Sequence, residues 1–223
     1  MAWERETDDG ATDPATGLTP LLDRRWSSRV FDPAHELTDG DLTALLHAAR
    51  WAPSAGNSQP WAFLVGRRDD PTHRAFVELL SRGNAFWAPR ASALLITLHR
   101  TASEPGSEFL YSEYAQYDLG QAAAHLTVQA QSMGLAVHQF AGFDHDRVAT
   151  VFGVPDHWRV TTAIAVGRPA PVESIEGLEP SLAIRERQVR RRNPLSDFVF
   201  DGRFGQSAAW TVRHELPGDG TTG

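Results

Sequence analysis

Between residues 52 and 61 the chain reads Ala52-Pro53-Ser54-Ala55-Gly56-Asn57-Ser58-Gln59-Pro60-Trp61. Ser54, Asn57, Ser58 and Gln59 place four short polar side chains within six residues, enough donors and acceptors to grip the edge of a flat polar ligand. Two prolines fix φ and remove backbone donors, and Gly56 permits a left-handed bend. The same residues would also serve an ordinary helix-to-strand connection, and for the loop alone the two readings stand level. Upstream lie Arg25, Ser27 and Arg29. Guanidinium groups flanking a hydroxyl suit a phosphate or carboxylate, although an arginine pair is more often a solvated surface. A third polar group closes the chain: Arg185, Arg187, Arg190, Arg191 and Arg192 gather five of 21 basic residues just ahead of Pro194.

The elements that must position these residues follow from periodicity. Thr19-Pro20 reads as an N-cap with proline at the first helical position, starting a short helix that delivers the Arg25–Arg29 group at its end. Thr38 and Asp41 form a capping-box pattern ahead of an apolar face at Leu42, Leu45, Leu46 and Ala49. Trp61–Val65 reads as a strand; a helix carrying Phe76, Leu79 and Leu80 follows and ends at Gly83-Asn84. The continuous apolar run Ala93–Leu98 is a strand buried on both faces. Residues 101–112 are polar and turn-like, a lid or an interface excursion. Tyr114–Met133 is the longest helix, stopped by Gly134. Leu135–Phe140 is a strand leading through a turn to an Asp144 cap, and Val160–Val166 is the last strand. Helices and strands alternate, which predicts an α+β domain, an α/β/α sandwich with a mixed sheet flanked by helices. That domain is expected over residues 17–205, between a disordered tail at 1–16 and a C-terminal tail at 206–223.

Composition removes several chemistries. There is no cysteine, so disulfides, thiol catalysis and thiolate metal sites are excluded. All 21 basic residues are arginine, which excludes Schiff-base enzymes and a P-loop lysine. A net charge of −7 argues against nucleic acid. No apolar run approaches the ~18–20 residues of a membrane span, and the first residues lack the pattern of a secretory signal, so a cytoplasmic location is expected. His138, His145 and His157 fit no compact metal-ligand spacing, and His138 reads as a buried strand residue or a pocket wall. Gly218–Gly223 spells a dinucleotide-binding glycine pattern but has neither a strand before it nor a helix after it.

Two of the polar groups share one resemblance. Arg25, Ser27, Arg29 and Phe31, then Ala52, Pro53, Ser54, Asn57, Gln59, Pro60 and Trp61, resemble the opening motifs of the nitroreductase family of FMN-dependent oxidoreductases. Gly134-Leu135 with Gly142-Phe143-Asp144 is similar to a later family segment, and Gly167-Arg168-Pro169 to another, so the resemblance runs over about residues 18–200. It implies a homodimer with FMN at the interface. Arg25, Ser27, Arg29, Asn84, Ala141, Gly142, Arg190 and Arg192 would come from one subunit; Pro53, Ser54 and Asn57, with Gln59 in the same motif, would come from the other. Arg190 and Arg192 would join Arg25 at the FMN phosphate, and Asn84 would contact the pyrimidine edge. The backbone amides at Ala141 and Gly142 would face flavin N5. A nearby position that is lysine in some relatives is Trp87 here, leaving Arg29 as the cation for reduced flavin. The implied reaction passes hydride from NADH or NADPH through FMN to a small electron-poor acceptor such as a nitroaromatic, quinone or enone, by a ping-pong route with no essential side-chain acid or base. Two alternatives stay open: an FMN-dependent dehydrogenase or oxidase acting on a heterocycle, and a non-catalytic flavin-binding module.

Overall fold

A computed structural model describes residues 17–106, 111–174 and 178–211. The expected tail at 1–16, residues 212–223 of the expected C-terminal tail and the terminal glycine pattern lie outside the described residues. In chain order the helices are α1 (Pro20–Asp23), α2 (Asp39–Arg50), α3 (Pro71–Val77), α4 (Arg82–Ala85), α5 (Ala115–Ser132), α6 (His145–Val151) and α7 (Pro180–Glu186). The strands are β1 (Trp61–Arg67), β2 (Ala93–Arg100), β3 (Ala136–Phe140) and β4 (Trp158–Gly167). The described residues group into two compact units, those within 24–186 and those at 17–23 with 187–211.

The larger unit is built on one sheet of order β1-β2-β4-β3. Side chains alternate across β2. Ala93 and Leu95 join Leu42, Leu45, Ala49, Ala122, Leu126 and Ile164 on the face covered by α2 and α5. Leu94, Ile96 and Leu98 join Phe31, Phe76, Trp87, Phe140, Val148 and Leu182 on the other face, which α3, α6, α7 and the segment around Trp87 cover. Apolar side chains on both faces of the central strands are what a sheet needs to hold helices on both sides. The α+β sandwich expected from the sequence is therefore present.

The expected mixed sheet is corrected: every pairing among the described strands is antiparallel. Alternating helices and strands suggested crossovers, but the connection from β1 to β2 returns the chain at the end where it left. Asp70 takes the Arg67 and His73 amides and turns the chain back. Gly66 then allows α3 to lie against β1, because a Cβ there would stand 2.6 Å from the His73 nitrogen. The helix expected through Leu80 also stops early. Residues 79–81 leave the helical pattern and pair with the segment after β3, Asp144 N–H donating to Leu79 O and Ser81 N–H to Gly142 O. Gly83 and Asn84 consequently fall inside α4. The capping box at Thr38 is present, the hydroxyl accepting from Asp41 N–H and the Asp41 carboxylate from Thr38 N–H.

In the smaller unit, α1 has only four residues, so the expected helix ends before Arg25. Residues 207–208 fold back on 199–200, with Ala208 N–H bonding Val199 O and Phe200 paired with Ser207.

Candidate functional site

After α1 the chain runs as a strip in which burial alternates: Ser27 is exposed, Ser28 buried, Arg29 half-buried and Val30 buried. Two groups distant in sequence hold the strip. The Glu186 carboxylate, at the end of α7, accepts from Trp26 Nε1 (2.8 Å), Ser28 Oγ (2.5 Å) and the Arg29 backbone N–H (3.1 Å). His138 of β3 presents Nδ1 to the carbonyl oxygens of Ser27 (2.9 Å) and Ser28 (3.1 Å). Carbonyls only accept, so Nδ1 carries the proton and donates. Burial first, then the Arg29 charge, push the His138 imidazole down to about 4, so the ring is neutral at pH 7.

The Arg29 guanidinium stands 6.0 Å from the centroid of the Trp87 ring, within cation–π range. Burial, then Arg185, lower its affinity for a proton, while Glu186 opposes them. Trp87 is 1% exposed and packs against His138 at 4.5 Å between ring centroids. Its indole Nε1 donates to Asn84 Oδ1 (3.2 Å), and Asn84 Nδ2 donates to Gly142 O (2.9 Å). Arg29, Trp87, Asn84 and Gly142 thus form one connected patch beyond the end of β3. Asn84 uses both ends of its carboxamide to join Trp87 to the turn. Neither the Ala141 nor the Gly142 N–H is taken by another group among the described residues, which leaves two backbone donors at the turn.

The loop after α2 is strained and self-braced. Gly56, Asn57 and Gln59 all have positive φ (58°, 54° and 49°), a cost that non-glycine residues bear only where surrounding structure enforces it. Ser54 Oγ accepts from Gln59 N–H (3.0 Å), and Gln59 Nε2 bonds Asn57 O and Oδ1 (3.3 Å each). From outside, the buried Asp118 carboxylate of α5 accepts from Ala55 N–H (3.1 Å), and Tyr111 OH donates to Ser58 O (3.1 Å). Pro53 and Asn57 are exposed. The loop feeds β1, whereas Ala141 and Gly142 leave β3, at the opposite edge of the sheet. Three strand spacings, roughly 14 Å, separate those edges, so one chain does not bring the two motif groups together as neighbours.

Arg190 and Arg192 belong to the smaller unit. There the Arg190 guanidinium lies 3.9 Å from the Asp23 carboxylate, and Arg192 Nη1 donates to Arg191 O (2.8 Å). Glu186 and Asp118 were not among the residues expected at the site. Asp118 left a signal, a carboxylate among Ala115, Leu119 and Ala122 on the buried face of α5. Glu186 left none, since its partners lie 157 to 160 residues away.

A four-stranded antiparallel sheet held between two helical layers, with an arginine strip packed on tryptophan at one edge, defines a nitroreductase-like α+β sandwich. The model of the nitroreductase family matches residues 22–168, and the chain belongs to that family. It is 36% identical over 151 residues to an uncharacterized 15.4 kDa protein of Mycolicibacterium smegmatis, covering 64% of this chain and 97% of that one. It is 29% identical over 180 residues to an NADH dehydrogenase of Thermus thermophilus, covering 68% and 86%. Among solved structures it resembles a crystal structure described as an oxidoreductase containing FMN, with a TM-score of 0.79 and 34% identity over 90% of this chain and 100% of that one.

Proposed function

We propose that the protein binds FMN and acts as an oxidoreductase, carrying electrons from NADH or NADPH to a small electron-poor acceptor such as a nitroaromatic, quinone or enone. The observation that carries this reading is the connected patch of Arg29, Trp87, Asn84 and the Ala141–Gly142 turn in a chain of this family. Its donor set fits the group. A half-buried guanidinium, an exposed Ser27 hydroxyl and two open backbone amides offer donors to an electron-rich ring edge and a phosphate. Bound FMN supplies the hydride chemistry.

The chain's own residues bind and orient. Arg29, held near Trp87, would offer a cation to the pyrimidine edge of bound FMN. Asn84 fixes the turn so that the Ala141 and Gly142 amides point outward; being backbone, they keep their protons at any working pH. Arg25 and Ser27 lie on the same strip as Arg29 and would hold the phosphate. Pro53, Ser54, Asn57 and Gln59 serve the site of a second copy. Two features support that arrangement: the sheet separates this loop from the patch, and Tyr114, just ahead of α5, and Tyr117 in its first turn are exposed. The donor and the acceptor occupy the same face in turn, a ping-pong route. Initial rates over a matrix of NADH or NADPH against a quinone test it: parallel double-reciprocal lines are expected, and intersecting lines contradict it. A flavin-loaded protein with no turnover of either donor contradicts the reductase reading.

A further inference from the structure

We propose that Glu186 is a positioning residue that sets the Arg29 guanidinium against the flavin edge, an inference that rests on the FMN reading above. Two carboxylate oxygens take three donors from one short strip: Oε1 accepts from Trp26 Nε1 and Ser28 Oγ, and Oε2 from the Arg29 N–H. The 2.5 Å contact from Ser28 is in the range of a charge-assisted hydroxyl–carboxylate bond. On the other polarity, His138 donates into the Ser27 and Ser28 carbonyls. The strip is therefore pinned through its donors by one group and through its acceptors by another.

Because burial alternates along the strip, fixing Ser28 inward turns Ser27 and Arg29 outward together. Glu186 sits in the last turn of α7, where the helix dipole disfavours a carboxylate. Local helix stability therefore gives no reason for an acid there; the three donors do. Leu182, one turn earlier on the same face, is buried in the core and anchors the helix that carries it. The carboxylate also opposes the Arg185 charge felt by Arg29.

Glu186→Gln is the informative variant, since it keeps the volume. With its oxygen toward Trp26 and Ser28, the new NH2 group faces the Arg29 N–H, donor against donor; flipped, it faces Trp26 Nε1 instead. Trp26→Phe is the control, because it removes one donor without touching Arg29. FMN titration of the full chain by flavin fluorescence quenching, with amide hydrogen exchange at Arg29 in the flavin-free protein, tests the assignment. Glu186→Gln is expected to weaken FMN binding about tenfold and to speed exchange at Arg29. Trp26→Phe is expected to bind FMN within about twofold of the parent. Equal affinity in Glu186→Gln, or equal loss in both variants, overturns the proposal. Should the unaltered chain take up no FMN, the proposed function falls, and unchanged exchange at Arg29 in Glu186→Gln then overturns the clamp separately.

Discussion

Replacing Gly142 with alanine tests how the patch is held together. The residue does not need glycine for its backbone angles; it needs the space. A Cβ would stand 2.6 Å from Asn84 Nδ2 and 2.7 Å from Ser81 Oγ. The Ser81 hydroxyl is at the surface and can rotate away, but the Asn84 carboxamide must leave. Its departure removes the bond to Gly142 O, a loss of about 1 kcal/mol, and strands the Trp87 indole N–H in the core at a further cost of about 1–3 kcal/mol. The expected destabilisation is roughly 2–4 kcal/mol, read as a lower denaturant midpoint with unchanged slope. In an Asn84→Ala background both bonds are already gone, so the same change should add less than about 1 kcal/mol. A Gly142→Ala protein within about 0.5 kcal/mol of the parent, or one that loses the full amount in both backgrounds, would refute the reasoning.

Two further perturbations probe the frame and its charge. Gly66→Ala puts a Cβ 2.6 Å from the His73 nitrogen and 2.8 Å from its Cα; these are backbone atoms, so α3 must move and stability should fall by more than about 2 kcal/mol in denaturation. His138 takes up its proton near 6.5 in the unfolded chain and only near 4 in the folded one. Between those values the unfolded state holds more protons, so this contribution is fully present above about pH 6.5 and is lost as the pH falls toward 4, by about 3 kcal/mol at most. His138→Asn keeps a donor toward the Ser27 and Ser28 carbonyls and removes the titration. Its stability should fall less than the parent's between pH 6.5 and 4, and parallel pH profiles would count against the burial argument.

Much of the frame was legible because single local patterns determined it. The Thr38–Asp41 capping box, the apolar run from Ala93 and the glycine after α5 each fix an element without help from distant residues. Sheet direction was not legible, since it depends on the end at which each connection returns the chain to the sheet, and alternation of helices and strands does not mark that end. The arginine strip and the Ala52–Trp61 loop could be picked out by composition and resemblance. What holds them could not: Glu186 reaches the strip, and Asp118 reaches the loop, only through the tertiary fold. Asn84 was marked by the resemblance alone, as a residue for a flavin edge; that its carboxamide also joins Trp87 to Gly142 depends on contacts that no local pattern signals.

Electron transfer through FMN is read from the visible absorption spectrum of the purified protein, loaded with FMN and then given NADH and NADPH in turn without oxygen. A yellow protein that bleaches on addition of at least one of the two donors is expected. A protein that takes up no FMN, or that holds it and stays oxidised with both, would contradict it.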